Sequence, residues 1–269
     1  MIRPIKHLNI EVTKLCNQKC FYCFNDSGYH AKGETLALST WVDVLVALKA
    51  RGLESILVTG GEPFIWPSTI DLLRAAQHME LETSVLSNGL NVPVLVTKHA
   101  DVFGKLEVAQ ISLDAMNPDL HDARRGLEGA WQQAIDAIEA FRDLQVPVEV
   151  SCTVSDENLD ELEAMGNFCQ SIGAALLVRP MAAIGRAYDS QNAVVDQQRL
   201  RAVLDRMGKK GITIVRDRFA YAPDMEGMNN EACKNDVVTV EADGKFRSGS
   251  LQICGASPSM CVTDLLVVA

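Results

Sequence analysis

The sequence predicts an α/β fold: a partial (β/α)6 barrel over residues 1–186, followed by a small C-terminal α+β extension over residues 187–269. Short apolar runs alternate with helix-period segments six times before residue 186. Such alternation builds a parallel sheet joined by right-handed crossovers. Six units are too few to close an eight-stranded barrel, so the barrel is expected to be open. Beyond Arg186 the alternation gives way to a different pattern.

The elements follow in order. Residues 8–12 form the first strand and run straight into a group of cysteines. Ser39 or Thr40 is expected to cap a helix whose Trp41, Val44, Leu45 and Leu48 share one face. The second strand, 55–58, ends in Thr59-Gly60-Gly61-Glu62-Pro63. A helix over 68–79 leads to the strand 83–86, which ends in Ser87-Asn88-Gly89. The fourth strand covers 107–113, and the helix after it carries Trp131, Ile135 and Ile138. A strand at 148–154, a helix near 159–169 and a strand at 175–178 complete the series. The extension then offers a helix near 197–207, a short strand at 212–215, and a hairpin of 237–241 and 245–247 turning through Asp243-Gly244. Sites in sheets of this kind gather at the carboxyl ends of the strands, and the polar motifs fall there.

Composition narrows the partners. The 269 residues are 48% hydrophobic and 22% charged, an ordinary globular balance. A net charge of −10 argues against nucleic acid, because phosphate binding needs a basic face. No apolar stretch approaches the ~20 residues that cross a bilayer, and no signal-peptide run opens the chain. No membrane partner and a cytoplasmic location are therefore expected. In a reducing compartment eight cysteines read as metal ligands, reactive thiols or buried small side chains, not as a disulfide framework.

Cys16-Asn17-Gln18-Lys19-Cys20-Phe21-Tyr22-Cys23 is a Cys-x3-Cys-x2-Cys array in a loop after a strand. Three thiolates this close can bind one metal centre. Structural zinc takes four ligands, and His7 or His30 would have to supply the fourth. An iron–sulfur cubane suits three thiolates better, since one iron stays open to a cofactor or substrate.

This array, with the aromatic Tyr22 just before the third cysteine, resembles the cluster motif of the radical S-adenosylmethionine (radical SAM) superfamily. The resemblance implies a [4Fe–4S] cluster on Cys16, Cys20 and Cys23 whose open iron takes the amino and carboxylate groups of SAM. It also implies an electron donor such as flavodoxin or ferredoxin, and cleavage of SAM to a 5′-deoxyadenosyl radical that abstracts hydrogen. Gly60-Gly61-Glu62-Pro63 resembles the family motif that hydrogen-bonds the SAM amino group. Ser87-Asn88-Gly89 resembles the segment that contacts its ribose and carboxylate, Ser112-Leu113-Asp114 the next such segment, and Arg125-Gly126 the one after. Arg179-Pro180 through Gly185-Arg186-Ala187 is similar to a sixth-strand element in which Ile184 would lie near the adenine. Taken singly, these residues also read as helix caps and turns.

The last third resembles the twitch/SPASM subgroup, through Cys233, Val238-Thr239-Val240 and Asp243-Gly244-Lys245. Arg247-Ser248-Gly249-Ser250 stands where that subgroup usually has a cysteine. Cys233, Cys254 and Cys261 could hold an auxiliary cluster, with Cys169 as an earlier ligand. The alternative is a lobe without metal. Cys152 on the fifth strand could face the barrel interior as a hydrogen-atom donor, or pack as a structural thiol. The chain enters its first strand by Leu8, without a leader-gripping N-terminal domain. A small-molecule substrate such as an amino sugar or nucleoside is therefore expected. A peptide-modifying maturase is the alternative, and a non-catalytic iron–sulfur or zinc protein a more remote one.

Overall fold

A computed structural model describes residues 5–32, 35–188, 195–215 and 237–247. Six parallel strands lie in sequence order: β1 (His7–Glu11), β2 (Ser55–Thr59), β3 (Glu82–Ser87), β4 (Val108–Ser112), β5 (Val148–Val154) and β6 (Ala175–Pro180). Between them run α1 (Leu38–Lys49), α2 (Thr69–His78), α3 (Val92–Lys98), α4 (Ala100–Phe103), α5 (Pro118–Arg125), α6 (Ala130–Asp143) and α7 (Leu162–Ile172). After α8 (Gln197–Lys209), β7 (Ile214–Val215) adds in parallel outside β6. β8 (Val237–Val240) adds in parallel outside β1, with His7 opposite Val237 and Ile10 opposite Val240, and β9 (Phe246–Arg247) closes that edge antiparallel. Among the described residues, the order β7-β6-β5-β4-β3-β2-β1-β8-β9 leaves the two edges unpaired with each other. Eight parallel strands thus curl into a half-barrel, open as expected but wider by one strand on each side. The expected hairpin forms, and its first strand extends the main sheet.

Strand periodicity divides the sheet into two chemically different faces. Leu8, Ile10 and Val12 pack with Ile56, Val58, Val85, Ile111 and Val150 against helix residues such as Trp41, Leu45, Leu72 and Phe141. The concave face is polar. Asn9 Nδ2 donates to Thr239 Oγ1 at 3.3 Å, and Gln110 Nε2 donates to Glu149 Oε2 at 2.8 Å. Arg179 donates to Ser151 Oγ and, at 3.1 Å, to Gln110 Oε1.

This division separates the two readings of Cys152. Cys152 shares its parity with Val148, Val150 and Val154, so its thiol sits in the helix-facing core with no exposure. Asn158 Nδ2 lies 3.5 Å from the sulfur. Ser151 and Thr153 hold the alternate positions, so Cys152 is a packed structural thiol and not a donor into the lumen. Cys169 is likewise buried in α7, its thiol pushed up to about 12 by burial.

Two local details also differ from the reading of the sequence. α1 starts two or three residues early, behind an extended Ala37 with no side-chain cap, so Ser39 and Thr40 fall inside its first turn. α5, which the sequence reading did not place, begins at Asn117, whose Oδ1 accepts from Leu120 N at 3.2 Å. Pro118 opens it and Gly126 ends it at φ +62° in the left-handed region, the usual asymmetry of helix ends. Among the described residues no helix is long and apolar enough to cross a membrane.

Phe103 of α4 stands edge-on between Phe64 and Phe141, with ring centroids 5.7 and 5.6 Å away. The three rings join the turn after β2 to α4 and α6 in the core. Phe103→Ala should therefore destabilise the protein by about 3–5 kcal/mol, read from the urea midpoint. A loss below about 1 kcal/mol would show that the ring is not holding these elements together.

Candidate active site

The three cysteines of the array lie in a loop over the carboxyl end of the sheet, and neighbouring elements hold its backbone at each end. Gly61 N donates to Thr13 O at 2.6 Å and Glu62 N to Leu15 O at 2.9 Å. A Cβ on Gly61 would lie 2.2 Å from Leu15 O, and one on Gly60, at φ +137°, 2.5 Å from Thr13 O. The glycine pair is therefore required by the chain's own close approach to the segment feeding Cys16. At the other end Arg186 Nε donates to Cys20 O at 2.8 Å, Arg186 N to Cys23 O at 3.0 Å, and Arg186 Nη1 to Ser27 O at 2.7 Å. Lys19 N donates to Arg125 O at 3.0 Å.

Donors surround the sulfurs. Gln18 N points at Cys16 Sγ from 3.4 Å and Ser27 N at Cys23 Sγ from 3.4 Å. Asn88 Nδ2 lies 3.7 Å from Cys16 Sγ, and Arg125 Nη1 lies 3.9 Å from Cys20 Sγ. N–H groups aimed at sulfur stabilise thiolates and tune the metal they bind. Burial pushes Cys16 up to about 12 and raises Cys20 as well, so metal entry must displace their protons.

Among the described residues no group of His, Cys, Asp and Glu gathers to hold a metal ion. His7, at the opposite end of β1, has Nδ1 2.8 Å from Ser55 Oγ, and His30 is exposed. Three thiols in one loop, each with its own N–H donor, fit a cubane with one thiolate per iron better than a lone zinc ion.

Two buried carboxylates brace this loop. Glu62 is fully buried, and its oxygens accept from Ser87 Oγ at 2.9 Å, Asn88 N at 2.8 Å and Phe64 N at 3.2 Å. Asn88 Nδ2 continues to Asn17 Oδ1 at 2.8 Å. Burial raises the Glu62 carboxyl to about 7 in spite of these donors. Pro63 is buried and opens a short 3-10 turn, Pro63–Ile65.

On the Cys20 side, Asp114 is fully buried. It accepts from the Tyr22 hydroxyl and from Thr153 N at 2.9 Å, and Arg125 Nε lies 3.0 Å away in an ion-pair contact off the hydrogen-bond line. Burial alone would raise the Asp114 carboxyl, but Arg125 and Arg124 hold it below the usual range. Burial and the carboxylate both raise Tyr22, which stays neutral. His121 Nδ1 accepts from Asp114 N at 3.0 Å, and burial lowers its pKa to about 4.

The structure thus gathers Glu62, Ser87 and Asn88 beside Cys16, and Tyr22, Asp114 and Arg125 beside Cys20. The polar atoms of the second set meet one another and a cysteine sulfur, and so hold the loop in place. Ser112 is half-buried at the end of β4, Arg179 lies on the concave face, and Ile184 is 45% exposed beside Gly185. Cys233, Cys254 and Cys261 lie outside the described residues.

Arg124 went unread. Its guanidinium, almost fully buried, lies 5.2 Å from the Phe21 ring centroid and 5.1 Å from that of Tyr22. It donates to Ser155 Oγ and Glu157 Oε2, each at 2.8 Å, and to Thr153 O at 2.9 Å. The loop aromatics are thereby fastened to the end of β5.

Asp114→Ala would leave two buried guanidinium groups without their shared counter-ion, at an expected cost of about 3–5 kcal/mol in a denaturant titration of the metal-free protein. Tyr22→Phe, which removes one hydrogen bond, should cost about 1 kcal/mol. Equal losses in the two variants would contradict the charge argument. Glu62 has a folded-state pKa raised from 4.5 to about 7. Its contribution is therefore present below the unfolded value and is lost as pH rises through the folded one. Between about pH 5 and pH 8 wild type should lose up to about 3 kcal/mol relative to Glu62→Gln, and parallel pH profiles would refute this.

Known proteins resemble this chain in sequence and in fold. A family profile described as the radical SAM superfamily matches residues 10–169. The sporulation killing factor maturation protein SkfB of Bacillus subtilis is 29% identical over 186 residues, which are 69% of this chain and 45% of that protein. The PqqA peptide cyclase of Ruegeria pomeroyi is 28% identical over 167 residues, 62% of this chain and 44% of that one. The chain spans about half the length of these curated relatives. Streptococcus suis SuiB bound to its precursor peptide SuiA superposes with a TM-score of 0.71 at 14% identity, covering 97% of this chain and 64% of SuiB. That likeness is one of fold. With the profile spanning more than half of its length, the chain belongs to the radical SAM superfamily, whose members use a [4Fe–4S] cluster and SAM.

Proposed function

We propose that this chain is the catalytic core of a cytoplasmic radical SAM enzyme that modifies a ribosomally made peptide. The observation that carries the substrate class is the pair of curated relatives, a peptide maturation protein and a peptide cyclase. The expectation of an amino sugar or nucleoside rested on where the chain begins, and that position says nothing about the substrate. The polar concave face, with the amide of Gln110 and the guanidinium of Arg179, suits a substrate rich in amide and carboxyl groups.

Cys16, Cys20 and Cys23 would hold the cluster, and residues near Cys16 would hold SAM. When bound, this pair supplies the reductive cleavage that yields a hydrogen-abstracting carbon radical. Glu62 already accepts three protein hydrogen bonds. A carboxylate offers about four acceptor sites, which leaves a place for the SAM ammonium, and that cation would draw the Glu62 pKa back down. Ser87 and Asn88 keep the carboxylate turned. Ser112, Arg179 and Ile184 keep their proposed places toward the rest of SAM. Tyr22, Asp114, Arg124 and Arg125 hold the loop still and exclude water from the Cys20 side. An electron donor such as flavodoxin or ferredoxin would reduce the cluster.

Anaerobic reconstitution should load about four irons per chain with a brown absorbance near 400 nm. The reduced protein should then release 5′-deoxyadenosine from SAM, and each of Cys16→Ala, Cys20→Ala and Cys23→Ala should stop it. Turnover by all three variants would end the assignment. For the substrate class, a precursor peptide encoded beside the gene should raise 5′-deoxyadenosine formation and emerge with a changed mass. Stimulation by nucleosides or amino sugars, with the peptide inert, would restore the small-molecule reading.

A further inference from the structure

Between the three cysteines, Gln18 is the buried polar side chain that the braces above do not use. Gln18, between the first two cysteines, is 1% exposed. Its backbone N–H already points at Cys16 Sγ from 3.4 Å. Its side-chain Oε1 lies 3.8 Å from Cys20 Sγ, in the geometry of a thiol donating to a carbonyl. The other end of the amide, Nε2, is buried with no hydrogen-bond partner.

These facts are stable only while Cys20 keeps its proton. A thiolate is an acceptor alone, and a carbonyl oxygen facing it would set two acceptors against each other in a buried place. Exchanging the amide's O and N, a rotation that leaves its shape unchanged, removes that clash and supplies the orphaned Nε2 with an acceptor. We propose that Gln18 is a positioning residue for the metal-loaded state. Its amide turns to donate Nε2–H to the Cys20 thiolate while its backbone N–H donates to Cys16. One residue would then tie two ligating sulfurs together and raise the potential at which the cluster takes an electron.

Hydrogen bonds to the sulfurs are among the groups that set iron–sulfur potentials. On the Cys20 sulfur this donor would join Arg125 Nη1 at 3.9 Å. The inference rests on the proposed cluster site, and iron content separates the two. An unloaded wild-type protein refutes the site, whereas a loaded one allows Gln18 to be judged.

The experiment is a redox titration of the reconstituted protein, followed by electron paramagnetic resonance without SAM, for wild type, Gln18→Leu and Gln18→Glu. Gln18→Leu keeps the volume and removes the donor. It should load about four irons and show a midpoint potential more negative than wild type. Gln18→Glu, which places an acceptor against the thiolate, should shift further in the same direction or load less iron. An unchanged midpoint in a fully loaded Gln18→Leu protein overturns the proposal. Should Gln18→Leu fail to load, wild type carrying 15N in its glutamine side-chain amides decides. Pulsed resonance on the reduced cluster should detect a nitrogen coupling from an amide bonded to a ligating sulfur, and its absence overturns the proposal equally.

Discussion

Both oxygens of Asp114 are committed inside the protein, and the Cys20 half of the loop is built on that commitment. The carboxylate faces two guanidinium groups, of Arg125 at 3.0 Å and Arg124 at 3.9 Å, and it receives the Tyr22 hydroxyl and Thr153 N. Burying charge is expensive unless it is paired and hydrogen-bonded. Two cations around one anion would leave a net charge in the interior, and Glu157, half-exposed at the rim, completes the balance from 2.8 Å. The arrangement gives the loop one geometry instead of several. A slipped Tyr22 would leave both its own hydroxyl and part of this charge without partners. Arg125 also reaches Cys20 Sγ, so the cation that fixes the carboxylate faces the sulfur a metal would use.

Glu62 plays the corresponding part beside Cys16 by a different route. It has no adjacent cation among its hydrogen-bond partners and is held by neutral donors from the ends of β2 and β3. Its charge is thus incompletely compensated, and burial dominates its titration. A site of that kind is prepared for a positive group. The two carboxylates thus differ in how their charge is met: Asp114 by two guanidinium groups, Glu62 by neutral donors alone.

Much of this was visible in the amino-acid order, and the failures have physical causes. The six strands are plain because each is a short, mostly apolar run set between helix-period segments and followed by polar or turn residues. Strand parity groups Cys152 with Val150 and Val154, which is the structural reading the sequence already offered. α5 escaped the search for apolar periodicity because its buried face is His121, Arg124 and Arg125, a polar set that only a charged network can bury. Arg124 was hidden for the same reason, since two successive arginines at a helix end look like dipole partners in solvent. The docking of β8 on β1 joins residues 237–240 to residues 7–10, and no local pattern announces a pairing across that distance. Nothing local announces that glycines 60 and 61 must also pass close to residues 13–15.

The clasp of Arg186 over the backbone of Cys20, Cys23 and Ser27 has a consequence in time as well as in space. The loop it closes lies within the first tenth of the chain, yet its fastenings come from β2, β3, α5, the end of β5 and the turn after β6. Contacts of such long sequence separation form late, after the entropy of closing the intervening chain has been met. The cysteines are therefore made first and held last. During synthesis and early folding they are accessible thiols on an unbraced segment, open to oxidation or to the wrong metal. A pocket able to discriminate exists only after the ribosome has passed residue 186. The order in which the chain is made therefore bears on when the three thiols are held in one arrangement.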